Sequence, residues 1–221
     1  MSKKAVIFDM DGLLIDSEPY WQEAGIETLQ TFGISLSTEQ YHSSTGLRTI
    51  EWIEHWFNYF GVDHEKAPAA IHTIESAAIE KIRQKAQPMP GVEHIINFFL
   101  KKDFKIGLAS SSPFKLINVV VEKLGIGPYL NGISSAGQLP YGKPHPQVFI
   151  DCAEQLETAP FHCVCFEDSF NGMIAAKAAK MKCVVVPAAE QYAEPRWGAA
   201  DLKLSSLINF NDLLMESLWR K

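Results

Sequence analysis

Two aspartates separated by one residue follow the first apolar segment of the chain. Residues 4–8 form a short, mainly apolar run, and Asp9 and Asp11 come directly after it. Alternate residues of an extended chain point to the same side, so both carboxylates can face one pocket, while Gly12 permits a turn behind them. Two aspartates at this spacing, taken alone, more often belong to a solvated acidic loop. Their place at the end of a buried strand favours a chemical role.

Three consecutive serines, residues 110–112, follow a second apolar segment. Ser112 is predicted to be the N-cap of a helix whose first residue is Pro113. Hydroxyls and free N–H groups at a helix N-terminus suit a phosphate. Plain capping explains Ser112, but it does not explain Ser110.

A lysine and a second pair of acids complete the set. Lys143 lies in the loop 141–146, whose two prolines favour a fixed position for its charge, although an exposed loop lysine is the simpler alternative. Glu167 and Asp168 end the apolar run 162–166. Asp168 or Ser169 can cap the helix that follows, but capping does not explain Glu167 at the edge of an apolar run.

The elements that must position these groups alternate between strand and helix. Short apolar runs separated by amphipathic helices predict βαβ units and a mainly parallel sheet. We therefore predict an α/β fold with a Rossmann-like, three-layer core. The predicted strands are 4–8, 104–109, 132–135, 162–166, 183–187 and 201–204, and the predicted helices between them are 91–102, 113–124, 146–156, 170–181 and 206–219.

A helical insert interrupts this core after the first strand. Helices are predicted at 19–32, 47–60 and 64–86, and the breaker cluster 87–91 marks the return. The predicted division is a core of 1–15 and 88–221 with an α-helical cap of 16–87. Ligands of open α/β sheets bind beyond the carboxyl ends of the strands, so an insert that leaves there can act as a lid.

Composition excludes several classes of protein. The chain has 221 residues, 47% of them hydrophobic, and a net charge of −6. The charge argues against nucleic acid as a partner, and no apolar stretch is long enough to cross a membrane. Four cysteines and no predicted signal peptide favour free thiols in the cytoplasm. The pair Cys163 and Cys165 beside His162 is better explained as part of a buried strand than as a metal site.

The order of acid pair, hydroxyl, lysine and acid pair, each at a strand end, resembles the haloacid dehalogenase-like (HAD) superfamily. The resemblance covers nearly the whole chain, including the insert. It is closest to the branch with a helical cap that holds β-phosphoglucomutase and sugar-phosphate phosphatases. The runs 8–18, 139–149 and 167–173 are similar to bacterial 2-deoxyglucose-6-phosphate and hexitol-phosphate phosphatases.

The resemblance implies a role for each strand-end residue. Asp9 would be the nucleophile that forms an aspartyl-phosphate, and Asp11 would protonate the leaving alcohol and then activate water. One Mg²⁺ ion would be held by the carboxylates of Asp9 and Asp168 and the backbone carbonyl of Asp11, with Glu167 close by; hard oxygen ligands suit this ion. The phosphoryl oxygens would be bound by Ser110 and Lys143, with Ser111 and Ser112 beside them, and Asn171 would support the acidic loop.

The cap is expected to select the leaving group. Arg48, after Thr45 and Gly46, matches a substrate-binding arginine of the sugar mutase, although a solvent-facing helical arginine is an equal alternative. Glu18 and Trp21 are candidates for the pocket wall. Trp52 and Trp56, four residues apart, are better explained as cap core.

These features predict a Mg²⁺-dependent phosphatase of a small phosphorylated sugar, acting as a monomer or weak homo-oligomer. The alternative is a phosphosugar mutase like β-phosphoglucomutase on the same scaffold. A haloacid dehalogenase is disfavoured because halide displacement does not need Asp11. A non-catalytic, phospho-accepting receiver module also uses strand-end carboxylates and a lysine, but nothing in such a module requires a helical cap of this size.

Overall fold

The core of the protein is a six-stranded parallel sheet. A computed structural model describes residues 4–44 and 46–219, and in that part of the chain every neighbouring strand pair is parallel. The predicted α/β class and mainly parallel sheet are therefore confirmed. The strands are Ala5–Phe8 (β1), Lys105–Ser110 (β2), Gly132–Ser135 (β3), Cys163–Glu167 (β4), Lys182–Val185 (β5) and Leu202–Lys203 (β6), in the order β3-β2-β1-β4-β5-β6.

The strand order reverses between β1 and β4. The chain builds β2 and β3 on one side of β1, then β4, β5 and β6 on the other. Phe8, the last residue of β1, lies opposite Leu108 of β2 and Phe166 of β4. The polar groups that follow these three strands therefore meet at the switch point, which is where open α/β sheets bind ligands.

Helices cover both faces of the sheet. They are Val92–Leu100 (α5), Phe114–Leu124 (α6), Gln147–Gln155 (α7), Phe170–Ala178 (α8) and Asp212–Trp219 (α9). Val6 and Phe8 of β1 pack with α5, α6 and α9, whereas Ala5 and Ile7 pack with α7 and α8. This alternation gives the three layers that were predicted. All four cysteines are buried, free thiols, and Cys163 and Cys165 lie in β4.

Four helices lie between β1 and α5. They are Glu18–Gln30 (α1), Thr38–Ser43 (α2), Thr49–Phe60 (α3) and Ala67–Lys85 (α4). Trp52 and Trp56 of α3 are buried, as expected for residues of the cap core. The two segments that connect these helices to the sheet run side by side and are joined by a hydrogen bond from the Asp16 N–H to the Gln87 carbonyl at 2.9 Å. These contacts support the proposed division into 1–15 with 88–221 and 16–87.

Two predicted elements need correction. No helix was predicted at 38–43, where α2 forms. A reciprocal capping box between Ser37 and Gln40 begins this helix. Its six residues are too few to show a helical period of hydrophobic residues. The last helix was predicted at 206–219 but begins at Asp212. A 3₁₀ turn precedes it, and Phe210 is extended because its ring is buried among other aromatic rings.

Among the residues that the structure describes, none of the helices combines the length and apolar character that a membrane crossing needs.

Candidate active site

A pocket that is partly open to solvent lies between the strand ends and helices α1, α3 and α4. The sheet side contributes Asp9, Asp11, Ser110, Lys143 and Asp168, and the helical side contributes Glu18, Trp21, Gly46, Arg48 and Trp52.

Lys143 lies at the centre of the buried charges. Its Nζ donates to Asp9 Oδ1, to Glu167 Oε1 at 2.7 Å and to the Ala109 carbonyl at 3.2 Å. Burial alone would lower the pKa of Lys143, but the charges of Asp9 and Glu167 raise it above its ordinary value. The lysine therefore stays protonated and holds the two carboxylates together.

Glu167 accepts hydrogen bonds from the N-cap residue of α8. Its Oε2 accepts hydrogen bonds from the Ser169 N–H at 3.0 Å and the Ser169 hydroxyl at 2.9 Å. Gly172 lies so close that a Cβ there would be 1.8 Å from Glu167 Oε1. The glycine thus makes room for the carboxylate that pairs with Lys143. Gly172 lies within the run 167–173, and no local pattern in the sequence indicates this role.

Three acids form a cluster that can hold a cation. Asp9, Glu167 and Asp168 each offer a carboxylate oxygen, and these atoms lie within 4.8 Å of one another. Burial raises the pKa of Asp168, and Glu167, Asp9 and Glu18 raise it further. Burial also raises the pKa of Asp9; Lys143 opposes this rise, while Glu167 and Asp11 add to it. A positive ion between these carboxylates would relieve the repulsion.

Gly12 makes this cluster possible. Its φ of +72° is readily adopted only by glycine, and a Cβ there would lie 2.2 Å from Asp168 Oδ2. Any larger residue at position 12 would push Asp168 out of the cluster. The turn that was predicted at Gly12 therefore also shapes the acidic site.

Asp11 accepts four hydrogen bonds and joins the two sides of the pocket. Oδ1 accepts from the Ser17 hydroxyl at 2.7 Å and from Trp21 Nε1 at 3.1 Å, both at the start of α1. Oδ2 accepts from the hydroxyls of Ser112 at 2.7 Å and Ser110 at 3.3 Å. Ser17 lies two residues before the predicted helix 19–32 and was not predicted as a site residue; it is the N-cap residue of α1.

The predicted cap of α6 is wrong. Helix α6 begins at Phe114, and Pro113 takes the N-cap position. The Ser112 hydroxyl is instead committed to Asp11, and the Ser112 N–H donates to Ser110 Oγ at 3.0 Å. The Ser111 hydroxyl donates to the Gly46 carbonyl at 3.5 Å, which links the serine loop to the helical insert.

The remaining predicted residues lie on the helical side or at its edge. Burial, with the charges of Asp11 and Asp16, raises the pKa of Glu18 to about 7. A Cβ on Gly46 would lie 3.3 Å from Ser169 Oγ and 4.0 Å from the Cβ of Asn171, so this loop packs on the start of α8. Thr45 lies outside the described residues.

Comparisons with known proteins identify the family. The family model for haloacid dehalogenase-like hydrolases matches residues 3–180. The chain belongs to the haloacid dehalogenase-like hydrolases. The predicted family is confirmed, and the strand-end pocket of this HAD-like hydrolase lies at its sheet's switch point.

Similar proteins carry phosphatase and mutase names. Hexitol phosphatase B of Escherichia coli K12 is 38% identical over 213 residues, covering 95% of this HAD-like hydrolase and 96% of that protein. A phosphorylated carbohydrates phosphatase of Thermotoga maritima is 28% identical over 178 residues, covering 80% and 81%. The crystal structure of β-phosphoglucomutase from Clostridium difficile matches with a TM-score of 0.86 at 25% identity, covering 98% and 97%.

Proposed function

We propose that this protein is a Mg²⁺-dependent phosphatase that hydrolyses a small phosphorylated sugar of the hexose- or hexitol-phosphate type. The observation that carries the proposal is the meeting of Asp9, Asp11, Ser110, Lys143 and Asp168 around one pocket beneath a helical insert. The names of the similar phosphatases support the substrate class.

Asp9 is the nucleophile of this proposal. One of its carboxylate oxygens attacks phosphorus, the bond from phosphorus to the sugar oxygen breaks, and Asp11 gives a proton to that oxygen. Asp11 then takes a proton from water, and the resulting hydroxide attacks the aspartyl-phosphate. Inorganic phosphate leaves, and the Asp9 carboxylate is restored.

Charge neutralisation lets an acidic pocket bind an anion. Lys143 is buried, protonated and anchored by Glu167, so its charge stays beside Asp9 when a phosphoryl group arrives. The Ser110 hydroxyl donates to Asp11 at 3.3 Å and lines the same pocket as Lys143, so both can bind phosphoryl oxygens there. Fixed donors of this kind stabilise the charge that develops on transferred phosphoryl groups.

The acidic cluster fits a hard divalent cation. Its donors are carboxylate oxygens, and Gly12 leaves the space in which Asp168 lies. Asp9 and Asp168 would hold Mg²⁺, with the Asp11 backbone carbonyl as a further ligand and Glu167 beside them. The bound ion would neutralise phosphoryl charge.

The helical side of the pocket supplies the contacts for a sugar. Trp21 and Trp52 provide apolar surface, and Glu18 provides a polar group. Mixed surfaces of this kind orient polyhydroxylated ligands. We place the selection of the leaving group here.

The proposal is tested by turnover of a panel of hexose and hexitol phosphates. The wild-type protein with Mg²⁺ is expected to release phosphate, and Asp9→Asn and chelator-treated protein are expected to be inactive. Asp212→Asn, at an exposed acid of α9, is the matched control and should retain full activity. Equal turnover by wild type and Asp9→Asn would refute the mechanism.

A phosphosugar mutase is the second candidate, because the β-phosphoglucomutase structure matches over nearly the full length. A mutase would return the phosphoryl group to a sugar bisphosphate instead of to water. Measuring phosphate release against isomer formation, with a trace of sugar bisphosphate present, separates the two reactions. Isomer formation faster than phosphate release would favour the mutase.

A further inference from the structure

An ion pair opens α3 at the edge of the pocket. Arg48 is the N-cap residue, and its backbone N–H donates to Glu51 Oε2 at 3.1 Å. The Arg48 Nη2 donates to Glu51 Oε1 at 2.7 Å. The two side chains therefore form one unit whose position is set by the first turn of α3.

This pair also binds the core loop 136–142, about 90 residues further along the chain. Arg48 Nη1 donates to the carbonyls of Ala136 at 3.1 Å and Leu139 at 2.5 Å, and Nη2 donates to that of Pro140 at 3.3 Å. In return, Glu51 Oε1 accepts the Gly142 N–H at 3.0 Å. Charge-assisted bonds of this kind are stronger than neutral ones.

A Cβ at position 142 would force the Arg48 and Glu51 side chains to shift. A Cβ there would lie 2.6 Å from Glu51 Oε2 and 2.8 Å from Arg48 Nε. Arg48 Nε thus faces the loop, and it has no hydrogen-bond acceptor among the described residues. Both Nη atoms of Arg48 are already bonded to protein carbonyls or to Glu51. In this arrangement the guanidinium holds the loop and is not directed at a ligand.

The loop ends at Lys143, whose Nζ contacts Asp9 and Glu167. We propose that Arg48 and Glu51 form a clasp between the helical insert and the loop 136–142, and that the clasp positions Lys143 for the reaction. This inference rests on the proposed function, since it assigns two positioning residues to the same site. It gives Arg48 a role that differs from the predicted substrate contact.

The kinetic test compares Arg48→Met, Glu51→Gln and the double variant on a hexitol phosphate and on p-nitrophenyl phosphate. Met keeps the aliphatic part of the side chain and removes the guanidinium. A misplaced Lys143 should lower kcat by about 10- to 100-fold for both substrates alike, with little change in KM. The double variant should lose little more than Arg48→Met, because the two residues act as one unit.

Arg83→Met is the matched control. Arg83 pairs with Glu80 at the same spacing in α4, but this pair is half exposed. The control should keep wild-type kcat. A rise in KM for the hexitol phosphate alone in Arg48→Met would overturn the clasp in favour of a substrate contact.

A second readout does not depend on activity. Gly142→Ala keeps both charged residues but introduces a Cβ that displaces their side chains from the present contact. Amide hydrogen exchange of loop 136–142 should become faster in Gly142→Ala and Arg48→Met, and it should be unchanged in Arg83→Met. Unchanged exchange in the first two variants would refute the clasp. If the wild-type protein turned over no substrate in the panel, the proposed function would fail, while hydrogen exchange would still decide the clasp.

Discussion

Lys143 is surrounded by residues whose main effect is to keep it in place. Glu167, fully buried, pairs with it on one side, and the Ser169 cap holds Glu167 in turn. Removing one partner of a buried ion pair leaves an uncompensated charge and is far more disruptive than removing both. The residues around Lys143 should therefore be sensitive to small changes in volume.

Gly172→Ala tests this sensitivity. The added Cβ would overlap the Glu167 carboxylate, so Glu167 must move and Lys143 loses its anchor. We expect kcat to fall by about 10-fold or more, as for a displacement of about 1 Å at a catalytic group. Gly198→Ala is the matched control, because a Cβ there meets no atom within 4 Å. A Gly172→Ala protein as active as Gly198→Ala would contradict the account of Glu167.

The pKa of Glu18 predicts a pH-dependent stability in metal-free protein. Folding raises this pKa from 4.5 to about 7, so the native state binds more protons than the unfolded state between these values. Stability must fall as the pH rises through this window. Glu18→Gln should therefore be more stable than wild type by up to about 3 kcal/mol at pH 8, and this advantage should be lost near pH 4.

Urea unfolding in the presence of a chelator measures this difference. Glu54→Gln, at an exposed position of α3, is the control and should follow the wild-type protein at each pH. An advantage of Glu18→Gln that is the same at both pH values would argue against a partly buried Glu18 that titrates in this range.

At the scale of elements, the first turns of helices position most of the site. The start of α1 supplies Ser17 and Trp21 to Asp11, and the start of α8 supplies Ser169 to Glu167. The start of α3 supplies Arg48. Helices α1 and α8 follow β1 and β4, so their cap serines lie beside the carboxylates that follow or end those strands.

Phe210, just before α9, packs the C-terminal part of the chain against the sheet. Phe210 is fully buried, and its ring centroid lies 5.0 Å from that of Phe166 and 5.2 Å from that of Phe98. Phe210→Ala should lower the free energy of unfolding by about 3–5 kcal/mol. Leu213→Ala, at a position 76% exposed, should change it little. Equal effects in urea unfolding would mean that this segment is not part of the core.

At the scale of the whole molecule, an acidic protein must bind an anion. The net charge of −6 gives no general attraction, and five acids, Asp9, Asp11, Glu18, Glu167 and Asp168, lie near one lysine. In the metal-free protein, burial and the repulsion from neighbouring carboxylates raise the pKa of Asp168, so its charged form is destabilised. A divalent cation bound there should therefore stabilise the entire protein.

Thermal unfolding measures this stabilisation. Mg²⁺ at about 100 times its Kd should add about 2.7 kcal/mol and raise Tm by about 5–10 °C. Asp168→Asn should abolish most of the shift, and Asp212→Asn should retain it. An Asp168→Asn protein that responds to Mg²⁺ like the wild type would place the ion elsewhere.

The order of strand-end groups, the parallel sheet and the site of the helical insert could all be predicted from the sequence. They depend on local patterns: short apolar runs, breaker residues and polar groups at fixed places beside them. The division at 15/16 and 87/88 and the roles of the site residues remain predictions that the contacts support. Even the missed helix α2 had a local signal in the Ser37 and Gln40 capping box.

The tertiary structure alone decided which side chains are partners. Ser112 binds Asp11 instead of capping α6, Arg48 binds a loop about 90 residues away, and Gly172 makes room for Glu167. The raised pKa of Glu18 likewise depends on burial beside Asp11. Hydrogen bonds, burial and steric room between distant segments depend on distances that no local pattern encodes. For that reason, the sequence predicts which groups lie at the same edge of the sheet, and only the fold determines which atoms each group contacts.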